Sequence, residues 1–260
     1  MWLRILIIVL AVLIILIIAF FVIFSDSKLI YWYLTSKKKF KYKMLRKYTK
    51  DNQSLLFLGS LHDMHFGFKE YHFLHLKAVL KNYMPDVLLV ECRQEEIEVG
   101  NFADGPVEMY YLSMIAREMQ IPVIGVDWFD HTLQKPGTTI TKRDEQILKR
   151  IEAAAQSYKK PMVVIGATHL LIEEKMLRKK GYKREKISKE QIDSYYETKE
   201  SSLKFHKDTV MYIRKRIERE ELFLESNDLD EHWINASKRT IKNLNRYIDM
   251  IEEGKILLDD

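Results

Sequence analysis

Between Ile5 and Phe24 the chain carries no polar side chain: all twenty consecutive residues are Ile, Leu, Val, Ala or Phe. Buried core helices seldom stay apolar on every face. A helix of this length covers roughly 30 Å, the hydrocarbon thickness of a bilayer. A cleaved signal would have an apolar core of about 7–15 residues and then a small-x-small site. Ser25-Asp26-Ser27-Lys28 does not supply that pattern. The run therefore reads as a permanent single-pass anchor within residues 1–24, with Tyr31-Trp32-Tyr33 suited to the interfacial belt.

Charge sharpens this reading. The formal net charge is +5, from 42 Lys/Arg and 37 Asp/Glu. Residues 1–50 hold ten of the basic residues and one acid, Asp26, which leaves 32 basic and 36 acidic residues for the remainder. Residues 25–50 thus read as a basic stem beside the membrane, in contact with anionic lipid headgroups. No nucleic-acid partner is expected, because the body offers no basic face to extend a footprint. By the positive-inside rule the body lies on the cytoplasmic face, although a short N-terminal tail with one Arg also occurs on anchors oriented the other way. The single cysteine, Cys92, excludes an intramolecular disulfide.

From residue 51 the pattern changes. Short apolar runs at Leu55–Gly59, Val87–Glu91, Pro122–Asp127 and Met162–Gly166 end in glycine or an acid, as parallel strands buried on both faces do. Amphipathic stretches at 69–83, 106–119, 141–159 and 169–180 separate or follow them. Pro106 suits a first helical position, Thr141-x-x-Asp144 resembles a capping box, and Gly181 suits a C′ residue. Strand–helix alternation predicts an α/β fold with a mostly parallel sheet and flanking helices over 51–187. Tyr182–Ile187 is a candidate edge strand. Residues 188–260 form a highly charged C-terminal extension, with helices expected near 200–224 and 229–253 that pack on the core or on each other.

In an open parallel sheet the working site lies beyond the carboxyl ends of the strands. That rule selects His62 after Gly59, Glu91, Asp127, and His169 after Gly166. In both Gly-x-x-His turns the glycine would permit a tight exit from the strand. At the start of a helix, His169 is expected to have a lowered pKa and to be neutral. Two imidazoles with carboxylates suit Zn²⁺ or Mn²⁺, with an open position to activate water. His65 could join His62 or be a plain loop histidine, whereas His72 and His75 read as structural. Glu108 near a helix start satisfies the dipole or serves the site. Arg143, a cation near a helix start, would meet a carboxylate or another anion, or solvent. Cys92 should point to the face opposite Glu91.

Several segments, taken in order, carry a resemblance. They are Gly59-Ser60-Leu61-His62, Pro85-Asp86-Val87-Leu88-Leu89-Val90-Glu91, Glu108, Ile121-Pro122-Val123-Ile124-Gly125-Val126-Asp127, Arg143-Asp144, Val164-Ile165-Gly166-Ala167-Thr168-His169-Leu170 and Gly181-Tyr182. The ordered set resembles the TraB/Tiki superfamily, with its TraB/PrgY-like members and ChaN-like haem-binding relatives. The resemblance covers about 55–187. It implies a site built from His62, Glu91, Glu108, Arg143 and His169, similar to that of divalent-metal-dependent proteases, often membrane-tethered; other branches bind haem or act on peptide pheromones. Ser60 stands where Thr is usual, and Cys92-Arg93 depart from the common continuation.

The expectation is a membrane-anchored hydrolase of peptides that uses Mn, Co or Zn. His62 and His169 would be metal ligands, or ligand and base. Glu91 or Glu108 would complete the shell or activate water, and Arg143 would hold a substrate carboxylate or oxyanion. Its rival is a non-catalytic module that captures haem or a peptide at the membrane. A third reading is a scaffold acting through its C-terminal helices.

Overall fold

The computed structural model describes residues 13–14, 40–67, 71–98, 105–128, 139–225 and 231–259. Two compact units divide the chain, Met1–Lys41 and Tyr42–Asp260. In the first, Leu13 and Ile14 are helical. The rest of the expected span lies outside the described residues, among which no helix is long and apolar enough to cross a membrane.

The second unit is a mixed α/β structure. Its six-stranded sheet has the order β4-β3-β5-β2-β1-β6. The strands are β1 (Leu45–Lys50), β2 (Gln53–Ser60), β3 (Val87–Arg93), β4 (Val123–Asp127), β5 (Pro161–Gly166) and β6 (Lys183–Glu185). The four that match the apolar runs pair in parallel, while β1 is antiparallel to both β2 and β6. Apolar residues on both sides explain the continuous runs. Leu55, Phe57, Val87, Leu89, Val163 and Ile165 pack in one cluster with Ile147, Leu148, Leu170 and Leu177. The alternate residues Leu56, Leu58, Leu88, Val90, Met162 and Val164 are buried too, and by the two-residue period they face the other side.

The helices are α1 (Phe40–Met44), α2 (Phe73–Tyr83), α3 (Gln94–Glu98), α4 (Val107–Glu118), α5 (Thr139–Ser157), α6 (Ala167–Lys179), α7 (Lys189–Tyr196), α8 (Lys207–Leu224) and α9 (Glu231–Glu252). α5 and α6 supply the first cluster. Gly181 is the expected C′ residue: its φ is +89°, and Tyr182 N–H donates to Leu177 C=O. The capping-box expectation fails, because α5 begins at Thr139 and Asp144 is already its sixth residue, buried and committed elsewhere.

One correction concerns the basic stem. Its last residues are β1 of the sheet, and their cations serve the fold. Arg46 is buried and ion-pairs with Glu174, Lys47 meets Glu185 at 2.9 Å, and Lys50 lies over the Tyr182 ring. The C-terminal segment does pack on the core. Its strands β7 (Leu203–His206) and β8 (Ile256–Asp259) pair in parallel across the α8–α9 hairpin. Phe205 and Tyr247 pack edge-on or tilted against Phe73 of α2 and against each other. Tyr212 of α8 stacks on Tyr110 of α4 with centroids 4.5 Å apart.

Candidate active site

Strand order brings the site together. β5 comes last of the four parallel strands yet lies between β2 and β3. The carboxyl ends carrying His62, Glu91 and Gly166 are therefore neighbours, with His169 one turn into α6. Gly166 N–H donates to Glu91 Oε2 at 2.6 Å, which sets that carboxylate at the N-terminus of α6, where the helix dipole favours it. A Cβ at Gly166 would lie 2.3 Å from His62 Nε2 and 3.3 Å from Glu91 Oε2. The glycine is thus needed for room. Its own backbone is ordinary, with φ −55° and ψ 144°, so the tight-turn argument does not hold there. The unusual backbone belongs to His62, whose φ is +53°, a left-handed conformation that non-glycine residues adopt at some cost.

Both imidazoles are backed by carboxylates. His62 Nδ1 is 3.2 Å from Glu108 Oε1, and His169 Nδ1 is 2.5 Å from Asp144 Oδ1. His169 Nε2 then faces Glu91 Oε1 at 3.3 Å. Arg143 forks onto Asp127, with Nε and Nη2 each at 2.8 Å, and Nη2 also donates to Glu91 Oε1 at 3.1 Å. The anion expected for Arg143 is therefore two carboxylates of the chain itself. Glu108 is fully buried behind His62, which makes it an orienting group and not one that touches solvent.

Charge follows from these contacts. Burial would lower the pKa of His62, but the hydrogen bond its Nδ1–H donates to Glu108 and the charges of Glu91, Glu108 and Asp63 outweigh it and raise it to about 9. For His169 burial also lowers, yet the charge of Glu91 and the Asp144 hydrogen bond prevail over it and over Arg143, so its pKa is raised. This runs against the expectation of a lowered value, because two carboxylates that the sequence did not place beside the ring, Glu91 and Asp144, favour its charged form. Burial would raise the pKa of Glu91, but His169, His62, Arg143 and the Gly166 N–H hold it down at about 2.

His65 is not part of the site. Its Nε2 accepts from Leu61 N–H at 3.0 Å and its Nδ1 lies 3.1 Å from Tyr71 C=O. A carbonyl only accepts and a backbone N–H only donates, so the proton sits on Nδ1 and neither nitrogen is left for a ligand. Burial lowers its pKa to about 4, in keeping with a neutral ring. His72 and His75 form a capping box at the start of α2. Cys92 is buried.

Three residues escaped the sequence reading. Asp144 reads in the sequence as a helix-start acid. Glu173, one turn after His169 on α6, is fully buried, and neither carboxyl oxygen has a hydrogen-bond partner. Burial and the charges of Asp144, Glu91 and Glu152 raise its pKa to about 9. Its signal was legible: an acid at i+3 from Leu170 and i−4 from Leu177, on the apolar stripe. Arg216 is the third, at i+7 from buried Thr209 and i+3 from Ile213.

Among the described residues no three His, Cys, Asp or Glu side chains are gathered closely enough to hold a metal ion as they stand. The donors nevertheless fit one by chemistry and orientation. Metal-binding histidines typically give their second nitrogen to a carboxylate. Here both Nδ1 atoms do so; His169 Nε2 faces the Glu91 carboxylate, and His62 Nε2 and Glu91 Oε2 both lie beside Gly166. An ion would replace the positive charge that two protonated imidazoles otherwise supply.

In comparison with known proteins, no family model matches the chain, and no curated protein or solved structure matches it. The superfamily resemblance accordingly rests on the quoted motifs.

Proposed function

We propose that the chain is a membrane-anchored, TraB/Tiki-like hydrolase that depends on a divalent metal and acts on peptides, with its body on the cytoplasmic face. The observation that carries the metal reading is the doubled carboxylate–imidazole arrangement, Glu108–His62 and Asp144–His169, with His169 facing Glu91 and the His62 ring beside Gly166 at the carboxyl edge of the sheet. His62, His169 and Glu91 would hold Mn²⁺, Co²⁺ or Zn²⁺. Bound there, such an ion supplies a water of lowered pKa and polarises a carbonyl.

The remaining groups work by placement. Glu108 and Asp144 fix the two rings, and Asp127 with Arg143 fixes Glu91. Held near pKa 2, Glu91 is ionised at neutral pH and serves as a ligand, not a proton donor. The His62 side chain is 40% exposed against 12% for His169, so substrate would approach past His62. The peptide class comes from the superfamily resemblance, and the anchor from the run Ile5–Phe24.

The test uses the full chain in detergent, stripped with chelator and titrated with Mn²⁺, Co²⁺ and Zn²⁺ by calorimetry, then incubated with a peptide mixture read by mass spectrometry. Ion binding and cleavage, both lost in His169→Ala, are expected. Failure of all three ions to bind, with His169→Ala silent, sinks the proposal. A Soret band on adding haem that disappears in His62→Ala would replace it with the haem-binding alternative.

A further inference from the structure

α8 lies outside the segment that carries the superfamily resemblance, yet one of its side chains reaches both loops that shape the His62–Glu108 pair. Arg216 Nη1 donates to Asp63 Oδ1 at 3.2 Å and to Gly105 C=O at 2.9 Å. Asp63 follows His62 directly. The same Asp63 oxygen accepts from Val107 N–H at 3.3 Å, at the first residue of α4 and next to Glu108. One turn earlier on α8, the Tyr212 hydroxyl also donates to Gly105 C=O. A single guanidinium thus ties the loop that carries one partner to the loop that carries the other.

The pair is nearly buried, with side-chain exposures of 10% for Arg216 and 8% for Asp63. Buried ion pairs are poor devices for stability alone, since desolvation offsets much of their attraction, but they fix geometry. His62 needs such fixing. Its backbone is left-handed, and its ring lies against Gly166, where any added side-chain atom would meet it.

We infer that Arg216 is a positioning residue for the proposed site: it locks the His62 loop to the entry of α4, so that Glu108 orients the His62 ring. The inference rests on reading His62 and Glu108 as site residues, and it makes the C-terminal helices a part of that site's construction.

The experiment compares wild type, Arg216→Met, Arg216→Lys and Arg46→Met in the full chain in detergent. Arg46 ion-pairs with Glu174 at β1 and serves as a control for general loss of a buried cation. Two quantities are read. The first is the His62 ring signal in the NMR spectrum of metal-free, histidine-labelled protein, assigned with His62→Gln. The second is Mn²⁺ or Zn²⁺ affinity. Arg216→Met is expected to shift or broaden the His62 signal and to weaken the ion by up to about 10-fold, at or below the low end of what losing a ligand's own hydrogen-bond partner costs, because Arg216 acts through Asp63 and Gly105. Arg216→Lys keeps the charge, but a shorter and differently shaped head must meet both oxygens that Nη1 holds, and the variant should fall between. Arg46→Met should lower the unfolding midpoint with neither effect.

If Arg216→Met leaves the His62 signal at its wild-type position, or Arg46→Met moves it equally, the inference is overturned. Should Arg216→Met fail to fold, Arg216→Lys carries the same decision. Absence of ion binding by the wild type would count against the proposed function, while the metal-free His62 signal still decides the role of Arg216.

Discussion

At the scale of single residues, Gly166 leaves room for an imidazole that arrives from the end of a neighbouring strand. Sequence reading assigns Gly166 a turn, but its backbone is ordinary and the demand is for space beneath the His62 ring. Only a packed structure reveals that distinction, since the ring arrives from another strand. It also sets the expected effect of Gly166→Ala. A methyl group 2.3 Å from His62 Nε2 must expel the imidazole, whereas the strand itself tolerates alanine. The variant should lose no more than about 1–3 kcal/mol through overpacking, because the clashing atoms are the tip of a partly exposed side chain, and should remain folded. Its ion affinity should fall to the level of His62→Ala, measured by calorimetry beside thermal unfolding. Retention of wild-type affinity would mean that the ring does not need this space. His65 teaches the converse. Its spacing from His62 resembles a ligand pair, but the backbone takes both of its nitrogens, and no periodicity announces that.

At the scale of elements, the four parallel strands were legible because burial on both faces writes itself as continuous apolar runs, and the main helices because burial on one face writes itself as an amphipathic period. β1 was not. Leu45–Lys50 holds three cations, and their partners Glu174, Glu185 and the Tyr182 ring lie far along the sequence. β7 and β8 span four residues each, too short for a periodic signal. α6 shows what a helix can conceal: its apolar stripe includes Glu173, unpaired and fully buried. An acid whose folded pKa is raised to about 9, from an ordinary value near 4.5, binds more protons in the folded than in the unfolded state between those limits. Its contribution is therefore neutral below about pH 4.5 and increasingly unfavourable as pH rises toward 9. Glu173→Gln should leave stability nearly unchanged at pH 4.5 and raise it at pH 8.5. At pH 8.5 the gain should be at least about 1.4 kcal/mol, the equivalent of one pKa unit. Denaturant unfolding at the two pH values checks this. Equal effects at both would show that Glu173 is ionised in the fold.

At the scale of the whole second unit, the question is whether the C-terminal helices are an appendage or part of the domain. Their charge and their place outside the motif segment set them apart in the sequence, although helices of this pattern are expected to pack on the core or on each other. The structure ties them in at two levels. Phe205 and Tyr247 complete an aromatic cluster with Phe73 and Tyr111, and Arg216 with Tyr212 anchors Gly105 and Asp63 beside the site. Apolar burial of this kind is lost all at once, because removing either side strands large rings in water. Tyr247 and Phe205 are fully buried, as are Phe73 and Leu244. The C-terminal helices should therefore have no opening reaction of their own. In native-state hydrogen exchange, the amides of Leu244 and Tyr247 in α9 should exchange with the same free energy, and the same dependence on denaturant, as those of Val163 and Val164 in β5. Were α9 to open at markedly lower free energy while β5 stayed protected, the helices would be a docked accessory. The site could then be assembled without them, and Arg216→Met would be expected to leave the His62 ring undisturbed. Agreement between the two sets of amides would make the domain Tyr42–Asp260 one cooperative body, in which the left-handed His62 backbone is held by the fold of the entire unit.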